Sequence, residues 1–243
     1  MNQHRFNIKL KTMSRFTYSL MTSRFISLFL ITLLIIGGMG VGTYILASST
    51  TQFQQTINPG TLTTDIVDSS YNSVANPSVT MNAVTFSFSC QTATGTFGTS
   101  SQQIYVQNPD AADDGWTLTV APANTTDYWD GSSSDFDFND GSGSGCSDGS
   151  DADSLAGQMT IDPSGATLST GQCSSCTTNN ISKGSSTAFE EGTTDSVTLL
   201  TASASSDDIG DWTLQGVSIS QTIPAEQPAE SYTINMVLTV TSF

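Results

Sequence analysis

The sequence Y-T-I-N-M-V-L-T-V at residues 232–240 decides the fold class. Its even-numbered positions are all apolar or aromatic, and its odd-numbered positions are mostly polar. Successive side chains of a β-strand point to opposite faces, so this alternation predicts a half-buried strand. A lone strand is not stable in water, and the segment therefore needs other strands with matching apolar faces.

Similar segments occur throughout the preceding sequence. Further strands are predicted at residues 61–67, 79–90, 104–106, 116–120, 159–161, 196–202 and 212–220. Residues 79–90 alternate strongly, with one aromatic face and one hydroxylated face. No apolar stripe of helical spacing follows residue 47, and the Thr-rich, β-branched composition favours strands. We therefore predict an all-β domain at residues 61–243, an antiparallel β-sandwich of the immunoglobulin-like or jelly-roll type.

The N-terminus has the organisation of an export signal. Residues 1–24 contain five of the six basic residues, and residues 25–47 are predominantly apolar and end near small residues. This pattern predicts a hydrophobic helix that is either a cleaved signal peptide or a retained membrane anchor. In both cases the basic region is cytoplasmic, residues 48–60 form a linker, and the rest is extracellular, at the cell surface.

The charge of the exported part excludes several functions. Residues 48–243 carry all 22 carboxylates and one lysine, a net charge of −21. Such a surface repels nucleic acid and anionic lipid, so we expect membrane contact only through the N-terminal segment. The one histidine, His4, precedes the export segment, which rules out Ser-His-Asp, Cys-His and His-ligated zinc sites. We predict a protein without enzymatic activity; a carboxylate-dependent glycosidase is the remote alternative.

The cysteines predict disulfides. The chain has an even number of them, which in an exported protein favours disulfide bonds, with three possible connectivities: Cys90, Cys146, Cys173 and Cys176. The C-x-x-C spacing at residues 173–176 also occurs in redox enzymes, and four thiols can bind zinc. Neither a helix N-terminus nor a nearby base accompanies this motif. We therefore favour structural bridges and predict Cys173–Cys176 and Cys90–Cys146.

Residues 124–155 lose the alternation and become rich in Asp, Ser and Gly. Such an insertion is expected to be disordered or ordered by something other than a core. Oxygen-bearing side chains recur in the way calcium prefers, at Asp135, Asp137, Asn139, Asp140, Asp148, Asp151 and Asp153. The spacing is not that of an EF-hand, because glycine comes seventh rather than sixth. Calcium is thus a predicted cofactor, and a solvated acidic loop is the alternative.

Two motifs resemble the bacterial WxL surface domain. D-G-W-T-L-T-V at residues 114–120 contains the family's Gly-Trp-x-Leu strand, and residues 232–240 resemble its closing Tyr-led strand. In the closing strand Met236 stands where the family has Trp, and a Trp-x-Leu occurs one strand earlier. WxL proteins are secreted, non-enzymatic and attached non-covalently to the cell wall. The resemblance implies partners in peptidoglycan or other surface proteins and a binding motif of Trp116, Leu118, Trp212 and Leu214. The alternative is that Trp116 and Leu118 are plain core residues.

A second resemblance is to TasA-like fibre proteins. It rests on G-V-G-T-Y at residues 40–44, on Phe53 and on G-T-L at residues 60–62. Those proteins polymerise by donating an N-terminal strand to a neighbour, a form of β-augmentation. The resemblance implies a self-assembling filament subunit, a homopolymer, with residues 48–56 as the donated segment.

Overall fold

A computed structural model describes residues 27, 28, 30, 31, 54–112, 114–149 and 153–243 of the chain. The four described residues before residue 54 are helical, and the rest of the predicted segment 25–47 lies outside the described residues. Within the described part, no helix has both the length and the apolar character needed to cross a membrane. The chain divides into Met1–Thr56 and Ile57–Phe243. Because Ile57–Phe243 contains every strand of the described residues, their hydrophobic core and both disulfides, it is a self-contained folding unit.

The described residues of Ile57–Phe243 are all-β, as predicted. The strands are β1 Thr63–Val67, β2 Gln91–Phe97, β3 Gln103–Asn108, β4 Trp116–Pro122, β5 Gln158–Asp162, β6 Thr167–Thr170, β7 Ile181–Lys183, β8 Thr187–Ala188, β9 Val197–Ala202, β10 Gly210–Gln215, β11 Val217–Ile223 and β12 Met236–Ser242. They form three antiparallel sheets, in the orders β1-β3-β10-β6, β2-β11-β5-β8 and β12-β4-β9-β7. We call them sheets 1, 2 and 3. The prediction of an antiparallel β-sandwich is confirmed.

Gly216 divides the strand predicted at residues 212–220 in two. Its φ of 81° lies in the left-handed region, which glycine adopts at low cost. The chain turns there from β10 into β11, so one nearly continuous stretch serves sheets 1 and 2. The closing strand also differs from its prediction, since β12 begins at Met236 and Thr233 makes only an isolated bridge to Asp130.

All three sheets contribute side chains to the hydrophobic core. Trp116 and Leu118 of β4 and Trp212 and Leu214 of β10 are 0% exposed. The two indole rings lie 5.5 Å apart between centroids, at an interplanar angle of 40°. Each large apolar side chain that is fully buried contributes roughly 1.5–3 kcal/mol relative to its exposed state. The alternation of β4 therefore places its apolar side chains in the core, where their burial stabilises the fold.

The insertion at residues 124–155 joins this core. Phe138 is 1% exposed and packs edge to face on Phe189, with ring centroids 5.3 Å apart. Trp129 stacks on Phe136 at 5.7 Å and donates its indole N–H to Gln221 Oε1 at 2.8 Å. We predicted that this segment is disordered or ordered by something other than a core. For the described residues that prediction is wrong, because a few aromatic side chains pack into the core and hold the polar residues between these aromatic positions.

The strand predicted at residues 79–90 is also wrong. These residues form no β-ladder in the structure, and the next segment, β2, pairs with β11 along its whole length instead. Sequence reasoning also missed the short strands β6, β7 and β8. The disulfides Cys90–Cys146 and Cys173–Cys176 are confirmed.

Candidate functional site

Residues 79–90 run beside the open edge of β2. The Asn82 N–H donates to Thr94 O at 2.7 Å, and the Asn82 amide donates to Thr94 Oγ1 at 2.8 Å. The Thr94 carbonyl therefore points away from β11. Since backbone groups alternate in direction along a strand, the groups of Thr92 and Thr96 face the same open edge. Met81 lies over Gly95, where a Cβ would be 2.5 Å from the methionine sulfur.

A polar groove lies between residues 78–82, β2 and the turn that follows it. Its volume is about 420 Å³, within the range of small-molecule sites. Gln102 Oε1 accepts the Ser78 N–H at 2.8 Å and so joins two of its walls. The lining residues carry hydroxyl, amide or small apolar groups: Ser78, Val79, Thr80, Asn82, Thr94, Gly95, Thr96, Thr99, Ser101 and Gln102. We call this feature the neutral groove.

The neutral groove belongs to an uncharged part of a strongly acidic domain. Residues 72–109 contain no Asp, Glu, Lys, Arg or His, although residues 48–243 carry a net charge of −21. No side chain in the groove can therefore form an ion pair with a ligand, and the surrounding field repels anions. Hydroxyl and amide groups remain as hydrogen-bonding partners. The groove thus suits polar ligands, and its acidic surroundings disfavour anionic ones.

Among the exposed apolar side chains of residues 79–90, three large ones stand at alternate positions near the end of the segment. Val84, Phe86 and Phe88 are 41%, 46% and 79% exposed, and the two phenyl rings meet edge to face at 5.2 Å. We call them the apolar strip. Their backbone is held only at separate points: the Glu226 N–H donates to Ser87 O at 2.8 Å, and the Gln91 amide donates to Thr85 O at 2.8 Å.

The residues of the predicted WxL binding motif are enclosed. Trp116, Leu118, Trp212 and Leu214 are all 0% exposed, and the Trp212 N–H donates to Thr177 O at 2.8 Å. A ligand at the surface does not reach these side chains. A direct binding role for them stays a prediction, and their burial supports the alternative of core residues.

The predicted calcium ligands are distributed over several turns. Asp140 accepts the N–H groups of Ser142 and Gly149, both at 2.8 Å. With its amide nitrogen turned toward Asp137, Asn139 donates to both carboxylate oxygens, at 2.7 and 2.8 Å. Asp137, Asn139 and Asp140 are buried, Asp135 is half-buried, Asp148 and Asp153 are exposed, and Asp151 lies outside the described residues.

Carboxylates of this insertion thus bond to their own loop. Asp135 accepts the Gly131 N–H at 3.1 Å, and Asp153 accepts the Leu155 N–H at 2.8 Å. In the described ranges, no three Asp, Glu, His or Cys side chains form a group that could hold a metal. Calcium binding stays a prediction, which thermal unfolding with calcium and with a chelator tests: a calcium-linked rise in the midpoint would support it.

A buried aspartate, which sequence reasoning missed, holds the C-x-x-C loop. Asp211 accepts the N–H groups of Gln172 and Cys173 at 2.6 and 2.8 Å, and the Tyr105 hydroxyl at 2.8 Å. Burial and the hydrogen bond to Asp211 raise the pKa of Tyr105 to about 12. These contacts support the interpretation of Cys173–Cys176 as a structural bridge. The position of Asp211 beside Trp212 in a buried strand was the available signal.

A second missed feature is a serine clamp on Glu230. The N–H groups of Ser132, Ser133 and Ser134 donate to the Glu230 carboxylate at 2.9, 3.0 and 2.9 Å. The serine hydroxyls also donate to it. The hydrogen bond from the Ser132 hydroxyl is the largest of the causes that lower the pKa of Glu230 to about 2. The Ser134 hydroxyl and the backbone N–H groups of Ser132 and Ser134 lower this pKa further. The clamp ties the insertion to the segment before β12, and the run of three serines was its only trace in the sequence.

Comparison with known proteins gives no match: no family model fits the chain, and neither a curated protein nor a solved structure is similar to it. The resemblances to the WxL and TasA-like families therefore stay predictions from short motifs. The neutral groove and the apolar strip are the features on which a function can be argued.

Proposed function

We propose that this chain is an exported, non-enzymatic surface protein that attaches to the cell wall by binding uncharged polysaccharide in the neutral groove. The observation that carries the proposal is an amide- and hydroxyl-lined groove without charge on a domain whose net charge is −21. Sugar hydroxyls both donate and accept hydrogen bonds, as the side chains of Asn82, Thr94 and Gln102 do. Anionic wall polymers are disfavoured by the acidic surface.

This groove lies away from the Trp-x-Leu residues, where the WxL resemblance implies the binding site. Trp116 and Trp212 stabilise the sandwich from inside, whereas the groove lies at the edge of sheet 2. A wall ligand in the groove requires no opening of the core. Attachment and the buried Trp-x-Leu motifs are therefore compatible, with separate roles.

Binding of Ile57–Phe243 to purified, insoluble wall material tests the proposal. We expect retention by the wall and competition by soluble neutral glycan fragments. The substitutions Asn82→Ala and Gln102→Ala together should weaken retention by about tenfold or more, because each removes a hydrogen-bonding group from the groove. Asn179→Ala, at an exposed amide before β7, is the matched control and should bind as the wild type does.

Equal retention of the groove variant and the control would refute the proposal. Competition by wall peptides instead of glycans would refute the polysaccharide as ligand. Release of reducing sugar ends from the wall would favour the remote alternative, a carboxylate-dependent glycosidase.

A second candidate is a filament subunit that donates residues 48–56 to a neighbour. One observation favours it: among the described residues, no strand pairs with the backbone groups of Thr92 and Thr96 at the outer edge of β2. Electron microscopy separates the two candidates. Strand donation predicts fibres from a chain that begins at residue 48 and none from Ile57–Phe243.

A further inference from the structure

We propose that Asn124 is an N-glycosylation site, at which the folded, exported chain receives an oligosaccharide on its side-chain amide. The acceptor pattern Asn-x-Ser/Thr occurs at residues 124–126 and 180–182, whereas the Asn-Pro-Ser of residues 76–78 is excluded by its proline. Such tripeptides are common by chance in a Thr-rich chain, so the surroundings of each one must decide. The inference rests on export, which is part of the proposed function, and not on polysaccharide binding.

The first tripeptide, residues 124–126, lies in an exposed turn after β4. All three of its residues are exposed. The Asp127 N–H donates to Asn124 O at 3.0 Å, which closes a four-residue turn. The Ala123 N–H donates to Asn235 O at 2.9 Å and so holds the start of this turn. An enzyme can therefore reach the whole tripeptide without unfolding the domain.

The acceptor amide itself lies at the surface. Asp127 accepts the Asn124 backbone N–H at 3.0 Å and the Asn124 side-chain amide at 3.1 Å, and both bonds are exposed. Water or an approaching enzyme can replace an exposed hydrogen bond at little cost, because no buried group is left unsatisfied. The amide nitrogen of Asn124 is thus positioned by the turn and remains accessible.

The second tripeptide is engaged by the fold. The Asn180 amide donates to Ser205 O at 2.7 Å, and the Ser182 hydroxyl donates to Thr201 O at 3.3 Å. Two of its three residues belong to β7, which pairs with β9. A transferase that binds this tripeptide in the folded domain must break part of a β-ladder as well as both side-chain bonds. We therefore assign the modification to Asn124 and not to Asn180.

The reaction joins a sugar to the amide nitrogen. Asn124 Nδ2 forms a bond to C1 of the first sugar, and the bond from C1 to the phosphate of a lipid-linked oligosaccharide donor breaks. The lipid phosphate leaves with the electron pair of that bond, and the amide loses one of its two protons. A glycan is bulky and strongly hydrated, so it requires a surface position such as this turn.

Mass spectrometry of the full-length chain, purified from the surface of the cells that make it, tests the proposal. We expect a glycan on the peptide that contains Asn124 and an unmodified peptide for Asn180. An exported chain without a glycan on Asn124 would overturn this inference and leave wall binding untouched. A chain retained inside the cells would overturn both this inference and the export on which it rests. Equal modification of Asn180 would overturn the selection by surroundings.

Variants of the turn separate recognition of the tripeptide from general reactivity of the surface. Thr126→Ala should abolish the modification although Asn124 is still present, because the acceptor pattern requires a hydroxyl at its third position. Thr126→Ser should restore it. Thr125→Ala, at the exposed middle position, is the matched control and should be modified as the wild type is. Unchanged modification of Thr126→Ala, or its loss from the control, would overturn the proposal.

Discussion

Strand β4 and residues 79–90 have the same alternating pattern and opposite surroundings. Trp116 and Leu118 of β4 are 0% exposed, whereas Phe86 and Phe88 are 46% and 79% exposed. β4 lies between β12 and β9 and is paired on both sides, but residues 79–90 belong to no ladder. The difference teaches that alternation specifies a face suitable for burial, while the pairing of the backbone decides whether that face is covered within the monomer.

The largest expected effect comes from removing a buried side chain of β4. Trp116→Ala should lower the free energy of unfolding by about 3–5 kcal/mol, because it removes a fully buried ring and leaves a cavity beside Trp212. Trp116→Phe should cost less, since it keeps an aromatic ring and removes an indole N–H that finds no hydrogen-bond partner among the described residues. Urea unfolding of Ile57–Phe243 measures both. A cost below about 1 kcal/mol for Trp116→Ala would contradict the packing described.

The disulfides extend the comparison, because Cys90, the last residue of the segment 79–90, belongs to one of them. Cys90–Cys146 closes a loop with a sequence separation of 56, and Cys173–Cys176 closes one of 3. The chain-entropy model gives about 4 kcal/mol for the first bridge and about 2 kcal/mol for the second. Paired Cys→Ala variants in the same urea experiment should keep this order. The reverse order would contradict the anchoring of residues 79–90 through Cys90.

The serine clamp has a smaller, pH-dependent effect. The pKa of Glu230 is lowered from 4.5 to about 2 in the folded chain, so the stabilisation is fully present above about pH 4.5. It is lost as the pH falls toward 2, where the folded carboxylate takes up its proton. Glu230→Gln should therefore be less stable than the wild type at pH 6, and the difference should shrink between pH 4.5 and 2. A difference that is constant with pH would contradict the clamp.

The smallest effect is expected from removing an exposed side chain of residues 79–90. Phe88→Ala should change the stability of the dilute monomer by less than about 0.5 kcal/mol, because the ring is largely in solvent before and after unfolding. Phe138→Ala, the buried counterpart within the polar insertion, should cost about 3–5 kcal/mol. Thermal and urea unfolding at low protein concentration compare the two. A similar cost for both would mean that Phe88 is covered in solution.

Sequence reasoning succeeded where one residue pattern is enough. Alternation located β4, β9 and the all-β class, and the export context with an even cysteine count indicated disulfides, whose predicted pairing agrees with the structure. It failed where the answer depends on contacts distant in sequence. Residues 79–90 and β2 are adjacent extended segments, and only the register with β11 selects β2. Composition likewise conceals that Phe136 and Phe138 carry the acidic insertion into the core. The groove was not foreseen, because its walls come from three separate segments.

Amide hydrogen exchange of Ile57–Phe243 tests the central claim most directly, that residues 79–90 belong to no β-ladder of the described residues and leave their apolar side chains exposed. In dilute solution the amides of residues 79–90 other than Asn82 should exchange rapidly, whereas those of Trp116–Pro122 should be protected. Strong protection of both segments in the dilute monomer would contradict the account, since it would show that the strip is already covered within one chain.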